Sequence, residues 1–180
     1  MTIINHNSKN STHKIILNIS FSLKKGILMN HMYFMHTAIQ EAIKAYDEGE
    51  VPVGAIIVKN GMIAGRGYNR MEKLPDATAH AEIIAISAAS SRLSSWRLEE
   101  CTIYVTLEPC LMCMGALMQS RISTIVYGAS DSKAGAVDSH YYQQEIERTY
   151  GYYPSIIPGI LADECSNLLT SFFSEKRKKD

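Results

Sequence analysis

Two short runs carry side chains that could hold a metal ion and move a proton: His80-Ala81-Glu82 and Pro109-Cys110-Leu111-Met112-Cys113. Cys110 and Cys113 are three residues apart, a spacing that stacks two side chains on one helix face, so two thiolates there can share one ion. Pro109 suits the first position of a helix, and at a helix start unpaired N–H groups and the dipole favour negative charge and lower thiol pKa values. His80 brings the protein ligands to three, the set that in catalytic zinc sites leaves a fourth position for water. Glu82 follows His80 by two residues, and residues two apart do not share a helical face. The pair can converge only where His80 sits at the frayed start of its helix. A carboxylate so placed can take a proton from an activated water and return it to substrate.

A Cys-x-x-Cys pair can also be a redox couple or half of a structural zinc site. No second Cys-x-x-Cys or His-x-x-x-His pair is present to close a four-ligand cage, and the redox reading leaves His80 and Glu82 without a purpose. Cys101 and Cys165 read as small core residues.

The elements that must position these residues are legible in the periodicity. A helix is expected from Tyr33 to Glu48, with Phe34, Ala38, Ile39, Ala42, Ala45 and Tyr46 on one stripe and Gly49 as its stop. Val53–Val58 and Met62–Tyr68 flank Asn60-Gly61, the dipeptide of a type I′ hairpin turn. A polar loop, Asn69–Thr78, leads to a helix over Ala79–Leu93, followed by a buried strand at Thr102–Leu107 and the helix opened by Pro109. Thr124–Tyr127 and Ser155–Ile157 read as further strands, the stretch between them as loop, and Ala162–Lys178 as a final helix. Strands alternating with helices after a hairpin predict an α/β fold: a three-layer α/β/α sandwich on a mixed five-stranded sheet.

The chain has 180 residues, about the size of one domain. Its longest apolar stretch, Ile15–Leu23, falls short of the ~20 residues of a membrane-spanning helix, so no membrane partner is expected. Eighteen basic residues balance eighteen acidic ones, which argues against a strongly basic nucleic-acid-binding fold. The distribution is uneven, because no acidic residue precedes Glu41 and the chain ends in Lys176-Arg177-Lys178-Lys179. That tail is either a solvated helix end or an RNA contact. Four cysteines and no signal peptide favour a reducing, cytoplasmic setting. Residues 1–30 lack a clean period and read as an appendage, either disordered or the product of a start codon assigned upstream of Met29 or Met32. Residues 31–180 form the expected domain.

The pattern H-x-E followed by P-C-x-x-C resembles the signature of the zinc-dependent nucleoside and nucleobase deaminases. The runs Val51-Pro52-Val53-Gly54-Ala55, Thr78-Ala79-His80-Ala81-Glu82-Ile83, Val105-Thr106-Leu107-Glu108-Pro109-Cys110, Ser120-Arg121-Ile122 and Ile160-Leu161-Ala162-Asp163-Glu164-Cys165 are similar to the bacterial tRNA-specific adenosine deaminase family. The resemblance covers residues 32–180. It implies a cytidine deaminase-like fold with one Zn2+ per subunit, held by His80, Cys110 and Cys113, and Glu82 as proton shuttle. It further implies hydrolytic conversion of adenosine to inosine at the wobble position of an arginine tRNA anticodon, with the anticodon stem-loop as partner, by a homodimer. Asn69 matches a residue that holds the purine, and Asp131 and Lys133 a loop beside the RNA. Read from its residues alone, Asn69 shapes the turn that ends the hairpin. The chain departs from the family at Ser130, where the family has arginine, and in the Tyr-rich stretch from Tyr141 to Tyr153. A free-base or free-nucleotide deaminase, of guanine or cytidine type, is the alternative, and a zinc-stabilised binding subunit without catalysis the third reading.

Overall fold

The computed structural model describes residues 7–137 and 140–178. Five strands, β1 (Gly54–Lys59), β2 (Met62–Tyr68), β3 (Cys101–Leu107), β4 (Thr124–Ala129) and β5 (Ser155–Ile157), form one sheet in the order β2-β1-β3-β4-β5. β1 runs antiparallel to both β2 and β3, while β3, β4 and β5 are parallel. The turn between β1 and β2 has positive φ at both Asn60 (50°) and Gly61 (74°), as a type I′ turn requires.

Strand side chains alternate between two cores, the period of two that a sheet covered on both faces imposes. Ile57, Ile103, Val105, Ile125 and Tyr127 pack with α2 (Ala81–Leu93), α3 (Leu111–Gln119) and α4 (His140–Tyr150). Ile56, Val58, Tyr104 and Val126 pack with α1 (Asn7–Asp47) and α5 (Ala162–Lys176). The result is the three-layer α/β/α sandwich expected from the sequence. Cys101 and Cys165 are core residues in it, and burial pushes the Cys165 thiol up to about 12.

Besides shifts of one or two residues at other element ends, such as α2 beginning at Ala81 rather than Ala79 and α5 ending at Lys176 rather than Lys178, three departures from the sequence reading stand out. α1 begins at Asn7 rather than near Tyr33, because the stretch contains no proline and a single glycine, Gly26, so nothing breaks the helix on its way back from the domain. The side chains of residues 26–30 are exposed, and His31, whose Nδ1 lies 3.0 Å from the Tyr104 hydroxyl, is where α1 reaches the sheet. α4 occupies part of the stretch read as loop. It exposes half of the residues whose side chains are described, buries Ile146, and stops at Gly151 (φ 74°). The third boundary, the start of α3, bears on the site and is described with it. Of the basic tail, Lys179 lies outside the described residues. Among the described residues no helix is long and apolar enough to cross a membrane.

α2 is seated on the sheet backbone against backbone. Ala81, Ala85 and Ala89 recur every four residues along its inner face, opposite Gly65 and Gly67 of β2. A Cβ at Gly67 would stand 2.3 Å from the Ala81 carbonyl oxygen, and one at Gly65 2.4 Å from that of Ala85. Gly54 of β1 receives α1 in the same way, since a Cβ there would stand 2.2 Å from the Ala38 oxygen. Gly67→Ala should therefore destabilise the fold by about 1–3 kcal/mol, the usual cost of overpacking, seen as a lower melting temperature. An unchanged melt would show that α2 can ride outward freely.

Candidate active site

The two chemical runs meet at the starts of α2 and α3. His80 is the N-cap of α2, with extended backbone (φ −72°, ψ 153°), so it stands outside the helix while Glu82 lies in its first turn. This resolves the two-residue spacing in the way the sequence requires. The loop before it is shaped by Asp76, whose Oδ1 accepts bonds from the Thr78 N–H (2.8 Å) and hydroxyl (2.7 Å).

Cys110 is likewise the N-cap of α3 (φ −74°, ψ 172°), which begins at Leu111 and not at Pro109. The correction has a local cause. Pro109 and Cys110 are bonded sideways to the following loop, the Pro109 carbonyl accepting the Ala136 N–H at 3.0 Å and Cys110 bridging to Gly135. The chain can turn helical only after those bonds are made.

His80 Nδ1 lies 3.8 Å from Cys110 Sγ and 3.5 Å from Cys113 Sγ, and the three donor atoms are all within 4.8 Å of one another. A tetrahedral zinc with Zn–N of about 2.1 Å and Zn–S of about 2.3 Å sets its N···S edges at about 3.6 Å, so the donors already stand near the corners of a zinc tetrahedron. The Glu82 carboxylate is not part of that mutual set.

The electrostatics suit a cation. The Cys113 thiol, the His80 ring and the Cys113 backbone N–H hold the Cys110 thiol down to about 4 against the opposing effect of burial. Cys113 moves upward, because it keeps the proton it shares with Cys110 and is itself buried. A divalent ion among the three would take both sulfurs as thiolates and release that proton. Glu82 is 4% exposed, and burial raises its carboxyl to about 6, with Cys110 adding to the rise and His80 opposing it.

Beside these groups is a cavity of about 200 Å³. Val53, Met71 and Leu107 supply apolar wall, and Asn69, Glu82 and Asp131 supply polar groups. Asn69 is buried and its backbone N–H is bonded to the Val53 carbonyl at 2.9 Å. Asp131 Oδ1 accepts the N–H groups of Lys133 (2.9 Å) and Ala134 (3.1 Å), so one carboxylate oxygen is engaged in shaping its own loop. Lys133 itself is exposed.

Two buried glutamates, Glu108 in the cavity wall and Glu50 behind Asn69, were not singled out from sequence. Glu108 accepts the Asp131 N–H on Oε2 and the Val137 N–H on Oε1, both at 3.0 Å, and so clamps the loop 131–137. Glu50 accepts the Lys73 N–H on Oε1 at 2.8 Å and the Asn69 side-chain amide on Oε2 at 3.4 Å. The signal available for both was a glutamate set against an apolar strand end, in Glu50-Val51-Pro52-Val53 and Val105-Thr106-Leu107-Glu108-Pro109.

Residues 28–129 match the cytidine and deoxycytidylate deaminase zinc-binding region. The chain belongs to this deaminase family. The deaminase is 44% identical over 146 residues to the tRNA-specific adenosine deaminase of Bacillus subtilis, covering 81% of this chain and 90% of that one. It is 41% identical over 152 residues to the enzyme of the same name from Streptococcus pyogenes serotype M1, covering 84% and 88%. A solved structure from studies of A-to-I editing by tRNA:A34 deaminases at the wobble position of transfer RNA matches with a TM-score of 0.72 at 40% identity, covering 76% of this chain and 99% of that one. A guanine deaminase structure from Bacillus subtilis matches at 37% identity with a TM-score of 0.52, covering 54% and 63%. The deaminase fold is cytidine deaminase-like, and its cofactor is zinc.

The raised carboxyl of Glu82 gives the deaminase a pH signature. Below about 6 the carboxyl is protonated and cannot accept a proton. kcat/KM should therefore fall as pH drops through about 6, and an acid limb lying near the ordinary carboxylate value would show that Glu82 is not the base.

Proposed function

We propose that this deaminase hydrolyses adenosine to inosine at the wobble position of an arginine tRNA anticodon. The observation that carries the reading is a buried carboxyl raised to about 6 beside a three-donor metal set, at the wall of a cavity with room for one base. The relatives named tRNA-specific adenosine deaminase support the choice of substrate.

Zinc bound by His80, Cys110 and Cys113 supplies a Lewis acid that makes water a competent nucleophile at neutral pH. Glu82 accepts a proton from the water whose oxygen adds to carbon 6 of the base and passes it to ring nitrogen 1, where it stays in inosine. The proton of the added hydroxyl then goes to the amino nitrogen by way of Glu82, the C–N bond breaks, ammonia leaves and the hydroxyl oxygen becomes the carbonyl. Asn69 orients the purine through hydrogen bonding. Asp131 holds the loop that closes the cavity, and Val53, Met71 and Leu107 exclude bulk water. A nucleotide in a loop costs less to unstack than a paired one, which fits an anticodon loop as substrate.

The chain acts as a homodimer in the cytoplasm in this reading, and residues 1–30 are an appendage to a domain spanning 31–180. The exposure of residues 26–30 supports that boundary. Removal of residues 1–28 should leave turnover and melting temperature unchanged, and a large fall in the melt would show that the segment packs on the domain.

The test of substrate is to sequence an arginine tRNA anticodon stem-loop after incubation with the protein, in parallel with free adenosine, cytidine and guanine. Inosine at the wobble position is the expected product. RNA binding should weaken with salt, by roughly 0.7 in the log-log slope for each phosphate contact. The match to a guanine deaminase makes guanine the informative competitor. Conversion of guanine with the RNA untouched would overturn the assignment.

A further inference from the structure

Asn69 and Glu50 are both buried, at 6% and 2% exposure, and the Asn69 Nδ2 donates to Glu50 Oε2 at 3.4 Å. The direction of this bond is dictated by chemistry, since a carboxylate offers only acceptors and must face the NH2 end of the carboxamide. Glu50 is itself held from the other side, where its Oε1 accepts the Lys73 N–H at 2.8 Å. Asn69 is anchored through its backbone to Val53 and its neighbour Arg70 to the Ala79 carbonyl, so the side-chain amide is the part left free to flip. It also lines the cavity beside the metal donors.

We propose that Glu50 is a positioning residue that fixes which end of the Asn69 carboxamide faces the substrate, turning the amide so that its oxygen is presented as an acceptor to a donor on the bound nucleoside. The inference rests on the deaminase reading above. Glu50 need touch no substrate atom. It acts by removing one of two amide orientations of similar shape and opposite hydrogen-bonding polarity.

Glu50→Gln inverts the arrangement with almost no change in shape. The oxygen of the introduced carboxamide takes over the Lys73 N–H and its nitrogen donates to Asn69 Oδ1, which flips the Asn69 amide and turns its NH2 end towards the cavity. Adding Asn69→Asp to Glu50→Gln reverses the pair while keeping its total charge. The introduced glutamine then donates to one oxygen of the introduced aspartate, and the other oxygen again faces the substrate as an acceptor.

The experiment measures kcat and KM on the anticodon stem-loop for wild type, Glu50→Gln, Asn69→Asp and the double variant, with zinc content and melting temperature for each. A misdirected buried polar group should lower kcat/KM of Glu50→Gln on the order of tenfold or more, mainly through KM, with zinc and melt unchanged. The double variant should recover most of that loss, a coupling that two independent sites would not show. Wild-type kinetics in Glu50→Gln, or a double variant no better than the worse single one, would overturn the inference while wild-type turnover of the RNA still stood. Failure of the wild type itself to convert the RNA would instead overturn the substrate reading.

Discussion

Glu82→Ala should purify with one zinc per chain and show turnover lowered by at least about 10²–10⁴-fold, the usual range for loss of a general acid/base. The two halves of this result come from different features. Zinc is retained because the donor set is His80, Cys110 and Cys113, with the Glu82 carboxylate outside it. Turnover is lost because Glu82 is the buried carboxyl raised to about 6 at the cavity wall, and alanine leaves nothing there to carry the proton. Stability should not fall, since the change removes a buried group whose ionised form is penalised by desolvation. Metal analysis and a single-turnover assay decide the matter. A zinc-free variant would make Glu82 a ligand or a support of one, and a fully active variant would end its role as proton shuttle.

Cys110→Ala and Cys113→Ala should each lose both the metal and much of the stability. His80 and one sulfur are too few donors to keep the ion, and the free energy that metal binding adds to folding is lost with it. Cys113 should cost more of the fold, because it is fully buried in α3 whereas Cys110 is partly exposed at the helix start. Thermal melts with and without added zinc would measure this. A large zinc-dependent rise in melting temperature is expected in the wild type and should be absent in both variants. Retention of stoichiometric zinc in either would remove that cysteine from the site.

The parts of this molecule that could be read from sequence were those governed by local rules. Asn60-Gly61 announced its turn, alternating apolar residues announced strands covered on both sides, and the joint spacing of His80, Glu82, Cys110 and Cys113 announced a three-donor metal set with a carboxyl close by. The missed parts depend on contacts distant in sequence. The start of α3 is displaced by bonds from Pro109 and Cys110 to Ala136 and Gly135. α4 spaces Tyr142, Ile146 and Tyr150 four residues apart, but the polar residues between them mask the stripe; in the fold it buries Ile146 while Tyr152 and Tyr153 beyond its end bond to the Met118 and Val137 carbonyls. Glu50 and Glu108 look like ordinary surface charges until the fold brings backbone N–H groups to them. Asn69 stands between the two cases, since its own chemistry suggests a turn and only the family resemblance suggests a purine contact, while the fold buries its side chain at the cavity.

The seating of α2 on Gly65 and Gly67 bears on how this enzyme can change over time. A helix that rests on bare backbone has no side-chain cushion to be trimmed or thickened, so the distance from sheet to His80 and Glu82 cannot be tuned by small steps. Variation at Gly65 and Gly67 of β2 meets a steric wall at once, whereas the segments carrying Asn69 and Asp131 are tied down by the carboxylates of Glu50 and Glu108. New specificity, whether arising naturally or in the laboratory, should accumulate in the loops and in the two glutamates that hold them, with the glycine seat left untouched.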